Sequence, residues 1–379
     1  MRILHVITTL DVGGAEMHLL AQVRGQSARG HSVAVAYLKG HGTLEADFRA
    51  AGASSVTRLP LGPAFPWRLA RLAHGADIVH THLLKADMAV AACALRKRAR
   101  QRLVASKHND EQVLRRPLVS RVHGWLGNRP ARTIVLSDHV GAFIAEHGRV
   151  RREKLVRIYY GLDPAPFEVA VAAGRGARDA LRASLGFGPE DVLFTCIARF
   201  APQKAHPVLL EAFARARKRE PRLALLLVGD DPFGDGRQRA EALARQLDLG
   251  PRCVFAGIRR DVPALLAACD GFVMSSLWEG LGLVFLEAMA ARLPVVASRV
   301  SAVPEVVLHE LTGLLVPPSD PEALSLALVR LAADPGLRAR LGEAGRERVR
   351  AHFGLERMVE ETLAVYGSVS PRSDARGKA

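Results

Sequence analysis

Two carboxylates flank a glycine-broken apolar run at Glu279-Gly-Leu-Gly-Leu-Val-Phe-Leu-Glu287. Gly280 and Gly282, alternating with Leu281 and Leu283, let the backbone come close to a ligand. The apolar residues that follow open a helix whose unpaired N–H groups and dipole favour an anion such as a diphosphate. Glu279 stays in the loop and Glu287 falls within the first turns of the helix, so the two suit hydroxyls at opposite ends of a sugar nucleotide: one for the donor sugar, one for the ribose. For an isolated pair, a solvated turn glutamate and a dipole-favoured helix-start glutamate would be the plainer reading. Both glycines, and a strand ending near Met274, weigh against it here.

A second constellation is Ala198-Arg-Phe-Ala-Pro-Gln-Lys204, at the carboxyl end of an expected strand. A rigid guanidinium, Arg199, and a flexible ammonium, Lys204, can clamp a diphosphate there and neutralise the charge that builds as it leaves. Asp-x-Asp spacing of the kind that holds Mg²⁺ or Mn²⁺ is missing. Asp230 and Asp231 are adjacent and read as a turn after a strand. The expectation is therefore no metal and no cofactor, with the nucleotide sugar as substrate.

The elements that must position these residues follow a regular rhythm. Short apolar runs alternate with longer amphipathic stretches, the pattern of βα units around parallel sheets. Strands are expected near residues 3–8, 32–37, 55–59, 77–81, 103–107, 133–136 and 156–158, then near 192–198, 224–228, 253–256, 271–274, 294–297 and 313–316. This gives two doubly wound α/β domains: residues 1–165 on the acceptor side and 166–350 binding the nucleotide sugar. Ligands are expected at the carboxyl ends of the strands and in a cleft between the domains. Residues 161–189 read as a linker plus one helix. A helical run continues from Pro335 to about Tyr366, with 351–367 packing back on the first domain and 368–379 a disordered tail.

At 379 residues with 49% hydrophobic and 24% charged residues, the chain is long enough for two domains with proper cores. Cys93, Cys196, Cys253 and Cys269 lie far apart in apolar surroundings and read as buried thiols. The run Met1–Leu10, broken by His5, is too short for a signal peptide, and no stretch approaches a membrane span. The expected place is the cytoplasm, with peripheral attachment to the inner face of the cytoplasmic membrane. Net charge is +15, and the first 165 residues, with 25 basic and 12 acidic side chains, carry +13 of it. A one-sided field of this size points to an anionic partner for that domain.

The segment 279–287 resembles the paired-glutamate signature of the family 4 retaining glycosyltransferases, which have the two-domain GT-B fold, and the likeness extends over nearly the whole chain. Asp11-Val-Gly-Gly-Ala-Glu16 is similar to the family's glycine loop under the donor phosphates, so Gly13 and Gly14 enter as donor-binding residues. Asp77-Ile-Val-His-Thr-His82, Ile158-Tyr-Tyr-Gly-Leu-Asp163, Pro304-Glu-Val-Val307 and Thr312-Gly-Leu-Leu-Val316 match further family segments. His108, in Ala105-Ser-Lys-His-Asn-Asp110, resembles the family histidine that faces the donor sugar at the reacting carbon. For the other histidines, His80 and His82 included, a satisfied structural role is the better reading. Two departures stand out: Ala205 where the family often has glycine after the lysine, and Ser301-Ala302 where it has a glycine pair.

The resemblance implies a metal-independent hexosyltransferase that moves a hexosyl unit from a UDP or GDP sugar to an acceptor hydroxyl with retention, in cell-surface glycan or glycolipid biosynthesis. His108, Arg199, Lys204 and Glu279 are the expected catalytic residues. A lipid-linked or saccharide acceptor accounts for a basic patch of Arg96, Lys97, Arg98, Arg100, Arg102, Arg115 and Arg116, set to dock on anionic lipid. A soluble acceptor, or a GT-B sugar-nucleotide epimerase, is the nearest alternative. A nicotinamide dehydrogenase would carry G-x-G-x-x-G, whereas the first loop here is Val12-Gly-Gly-Ala. Nucleic-acid binding lacks aromatic residues interleaved with the basic clusters.

Overall fold

The computed structural model describes residues 1–94, 97–231 and 234–369, without the side chains of Lys97 and Arg98. The chain divides into two compact units: Met1–Gly161 together with the chain from Leu355 onward, and Leu162–Gly354. The divisions fall at 161/162 and 354/355 rather than at 165 and 350. Leu162 pairs with Gly354 as an isolated parallel bridge, which places both crossing points side by side within the second unit.

The first unit is built on seven parallel strands, β1 (Arg2–Ile7), β2 (Ser32–Tyr37), β3 (Ser55–Arg58), β4 (Ile78–His82), β5 (Leu103–Lys107), β6 (Arg132–Val135) and β7 (Leu155–Arg157), in the order β3-β2-β1-β4-β5-β6-β7. The second has six, β8 (Val192–Ile197), β9 (Leu223–Val228), β10 (Cys253–Gly257), β11 (Gly271–Met274), β12 (Val295–Ser298) and β13 (Gly313–Val316), in the order β10-β9-β8-β11-β12-β13. Each is a Rossmann-like doubly wound sheet, and each reverses its strand order once: between β1 and β4, and between β8 and β11. Crevices for ligands open at the carboxyl ends of such strand pairs. The expected site residues follow those ends, with Gly13 and Gly14 after β1, Arg199 after β8 and Glu279 after β11.

Every expected strand is present within about a residue at its ends, because a parallel sheet covered on both faces needs near-continuous apolar runs. Helix boundaries differ more. Residues 161–189 hold two helices, Ala165–Ala172 and Gly174–Ser184, where one was expected; the break lies at Gly174, whose φ of +79° an L-side chain rarely adopts. The run after Pro335 is likewise two helices, Pro335–His352 and Leu355–Val369. Ser368 and Val369 are the last turn of the second helix rather than tail, and the remainder of the expected tail, 370–379, lies outside the described residues. Cys93 is half-buried; the other three thiols are buried.

The C-terminal helix Leu355–Val369 is part of the first unit's core. Met358, Val359, Val365 and Tyr366 join Ile3, Leu19, Val23 and Ile78 in one apolar cluster. Helix Gly14–Ala28 approaches it so closely that a Cβ on Gly25 would lie 2.5 Å from a Val359 methyl.

Candidate active site

In the second unit, the polar chemistry sits on two turns that follow β8 and β11. The turn after β8 is stitched to the turn after β11: Leu277 N donates to Gln203 O at 2.8 Å, Gln203 Nε2 donates to Trp278 O at 2.7 Å, and Ser275 Oγ reaches the carbonyls of Lys204 and Ala205 at 3.0 Å each. This stitching brings Lys204 Nζ within 2.5 Å of Glu279 Oε1, which also accepts from Ser276 Oγ at 2.6 Å. Glu279 is buried, and Lys204 is 13% exposed at its side chain. Arg199 is exposed. One held cation and one solvent-facing cation thus stand at the end of β8, with a carboxylate fixing the held one.

Gly282 caps the helix Leu283–Ala290 with a φ of +83°, and a Cβ there would lie 2.5 Å from the Phe285 ring. Its glycine is required by the turn itself. Gly280 and Leu281 are buried and Leu283 is half-buried. Glu287, half-buried on an otherwise apolar helix, has its carboxyl pushed up to about 7 by burial. Asp230 and Asp231 serve their turn: Asp230 Oδ1 accepts from Asp231 N, and Asp231 accepts from the backbone N–H groups of Gly234 and Arg237. Ala205 (φ +47°) and Ser301 (φ +44°), the two departures from family glycines, both hold the left-handed backbone that glycine would occupy without strain.

In the first unit, Gly13 precedes helix Gly14–Ala28 in an extended conformation, and a Cβ on it would meet the Glu16 carboxylate at 2.5 Å. Glu16 folds back to accept from Thr9 Oγ1, while Asp11 accepts from the backbone of His41 and Gly42. Gly14 has open space where a side chain would start. His108, 7% exposed beyond β5, has both ring nitrogens engaged: Nε2 with His82 Nδ1 at 3.1 Å and Nδ1 with Tyr160 Oη at 3.0 Å. Burial lowers its ring to about 3, so it is neutral. His18 packs on Tyr160 at 4.3 Å between ring centroids, with its buried Nδ1 unpartnered.

Sequence reasoning did not single out His18, Tyr160 or Ser276. For the network that reaches His108 through His82, the usable signal was polarity inside a fully buried strand, since Ile78-Val-His-Thr-His82 must satisfy its imidazoles internally. His80 is held by Tyr366 Oη at 2.6 Å and Ser106 Oγ at 2.7 Å. Ring nitrogens of His5, His80 and His82 lie within 4.8 Å of one another, the spacing of a possible metal set. The 2.9 Å between His5 Nδ1 and His82 Nε2 is a hydrogen bond, and the other nitrogens are similarly committed.

Of the basic patch, Arg96 and the side chains of Lys97 and Arg98 lie outside the described residues. Arg100 and Arg102 donate to the carbonyls of Ala94 and Ala76, and Arg115 bonds Gln112. Arg116 is exposed. Beside them, helix Pro117–Gly127 turns Leu118, Val122 and Trp125 to solvent, Trp125 being 68% exposed with Arg129 stacked 4.1 Å above its ring. Among the described residues no helix is long and apolar enough to cross a membrane.

Known proteins resemble this chain over most of its length. Family signatures match as Glycosyltransferase Family 4 over residues 12–166 and as Glycosyl transferases group 1 over 177–348. A GDP-mannose-dependent alpha-(1-6)-phosphatidylinositol monomannoside mannosyltransferase of Mycolicibacterium smegmatis is 32% identical over 88% of this chain and 89% of its own. The lipopolysaccharide core biosynthesis glycosyltransferase LpsE of Rhizobium meliloti is 35% identical over 49% of this chain and 53% of its own. Anabaena HepE, solved with UDP-glucose, superposes with a TM-score of 0.86 at 25% identity, covering 97% of this chain and 100% of that one. The chain belongs to the group 1, family 4 glycosyltransferases and has their GT-B fold.

Proposed function

We propose that this glycosyltransferase moves a hexosyl unit from a UDP or GDP sugar to the hydroxyl of a lipid-linked or saccharide acceptor, with retention and without a metal. The observation that carries the reading is the β8 end: Lys204 fixed on Glu279, with Arg199 exposed beside it. As the anomeric carbon–oxygen bond breaks, one further negative charge gathers on the departing diphosphate, and these cations with the helix beginning at Leu283 can hold it where Mg²⁺ would otherwise serve. The acceptor oxygen bonds to the same face of that carbon, and its proton passes to the departing phosphate oxygen. Glu287 accepts hydrogen bonds from the ribose hydroxyls. The GDP-mannose dependence of the mycobacterial relative and the UDP-glucose bound by HepE support a nucleotide-sugar donor.

Peripheral attachment to an anionic lipid surface is part of the same reading. Its support is the exposed stripe Leu118, Val122 and Trp125 flanked by Arg116, Arg121 and Arg129. The two relatives named for phosphatidylinositol mannoside and lipopolysaccharide core fit it as well.

The test is turnover of a panel of UDP and GDP sugars with EDTA present, followed by NMR of the product's anomeric proton. Transfer with the donor's configuration kept is expected. Loss of activity on chelation restored by Mn²⁺, an inverted product, or epimerised donor without transfer would overturn it.

A further inference from the structure

A single hydrogen-bonded chain crosses the first unit from the C-terminal helix to His108, and its direction can be worked out from one end. The carbonyl of Met358 can only accept, so Thr362 Oγ1, 2.8 Å away, donates to it. Thr362 then accepts from Gln22 Nε2 at 2.8 Å, which turns Gln22 Oε1 to accept from Gln26 Nε2 at 2.9 Å. Gln26 Oε1 must in turn accept from His5 Nε2 at 2.9 Å. A neutral imidazole has one donor and one acceptor nitrogen, so the polarity propagates. His5 Nδ1 accepts from His82 Nε2, and His82 Nδ1 accepts from His108 Nε2. His108 Nδ1 is left as an acceptor, which Tyr160 Oη serves. All three imidazoles are buried, and desolvation keeps each well below its ordinary pKa and therefore neutral.

We propose that His5, His82 and Gln26 are positioning residues that lock His108 as an Nε2–H tautomer whose Nδ1 can only accept, so that any sugar hydroxyl displacing Tyr160 must donate to it. The chain also gives the return of the C-terminal helix to the first unit a chemical role, because Thr362 and Met358 set the polarity that His108 presents. The tautomer follows from geometry alone; its effect on transfer rests on the proposed glycosyl-transfer function.

Two measurements on the full-length protein test this. Two-bond ¹⁵N–¹H spectra of ¹⁵N-histidine-labelled protein at pH 7 are expected to show His5, His82 and His108 as neutral Nε2–H rings. A protonated His108, or one carrying its proton on Nδ1, overturns the proposal. Kinetically, His82→Leu removes one of the two hydrogen-bond partners of both His5 and His108 and is expected to lower kcat about 10-fold or more through misorientation of His108, with donor KM changed less than about twofold. His82→Gln, whose amide accepts and donates through atoms spaced much like the two ring nitrogens, is expected to recover most of that loss. A folded His82→Leu enzyme with unchanged kcat overturns the proposal, as does a Gln variant as slow as the Leu variant. If His82→Leu does not fold, Gln26→Leu, which removes the acceptor for His5 from the helix side, is read by the same criteria. Failure of the wild type to turn over any nucleotide sugar would sink the transfer reading, while the spectrum would still decide the tautomer.

Discussion

The two units place their polar chemistry in opposite ways. In the second, Arg199, Lys204 and Glu279 sit on two turns, within hydrogen-bonding reach of one another or of solvent, and each is recognisable within a run of about ten residues. In the first, His108 is anchored by residues from β1, β4, the helix Gly14–Ala28 and the C-terminal helix, all buried in apolar core. On the proposed reading, charges that meet a charged ligand are carried by turns, whereas a neutral group held in one tautomer is enclosed in the scaffold, where an unpaired partner is costly.

The largest effect that would break this contrast is at the β8 end. Arg199→Ala and Lys204→Ala are each expected to lower kcat about 100-fold or more, since both oppose charge that is greatest in the transition state. Near wild-type turnover in both variants, with melting unchanged, would remove the second unit's claim to leaving-group stabilisation. Lys204→Ala should also lower the melting temperature more than Arg199→Ala, because it alone strands a buried carboxylate, Glu279.

Glu287 sharpens the comparison through pH. Its folded carboxyl titrates near 7, against an ordinary value near 4.5. Between those values the folded protein keeps a proton that the unfolded chain has lost, so this group's contribution to stability is largest below about 4.5 and declines as pH rises to 7. Glu287→Gln has no such proton. The melting temperature of wild type minus that of the variant is therefore expected to fall from pH 4.5 to pH 7 and level off above it. Donor affinity should run the other way, strengthening as the carboxylate forms. A flat melting difference across that range would remove the raised Glu287 carboxyl from the account.

A smaller effect tests the first unit's outer face. Binding to phosphatidylglycerol vesicles at low salt is expected to weaken severalfold in Trp125→Ser and in Arg116→Ser with Arg121→Ser, each cation counting for about 1 kcal/mol at most near the lipid. Added salt should weaken the charge variant's parent more than the variant. Wild-type protein that ignores such vesicles would end the lipid reading and leave the transferase intact.

Legibility in the sequence followed the same division. The strands could be read because apolar runs are local signals, and Arg199, Lys204 and Glu279 were singled out because each stands in a short contiguous motif. His108 could be placed by resemblance, but its partners could not: His5 and His82 are 77 residues apart, and Gln22 meets Thr362 across 340. The stripe on Pro117–Gly127 escaped for another reason. Leu118, Val122 and Trp125 have the spacing of a core face, and only burial shows that they point outward.

The smallest expected effect concerns the departure at residue 205, where three terms of similar size oppose one another. Holding Ala205 at a φ of +47° costs about 1 to 2 kcal/mol relative to a right-handed backbone, which Ala205→Gly would relieve. Glycine returns about 0.5 to 1 kcal/mol of that through the larger entropy of the unfolded chain. Removing a buried methyl forfeits about 0.8 kcal/mol more. The sum lies within about 1 kcal/mol of zero, so Ala205→Gly should move the melting temperature by no more than a few degrees and leave kcat unchanged, while the carbonyls of Lys204 and Ala205 stay held by Ser275. Ala205→Val is the contrasting probe. A β-branched side chain is far less tolerant of that backbone, so the turn carrying Lys204 must distort, and both melting temperature and kcat should fall. Equal behaviour of the glycine and valine variants would mean that the left-handed turn does not position Lys204, and that the ion pair with Glu279 alone sets the ammonium in place.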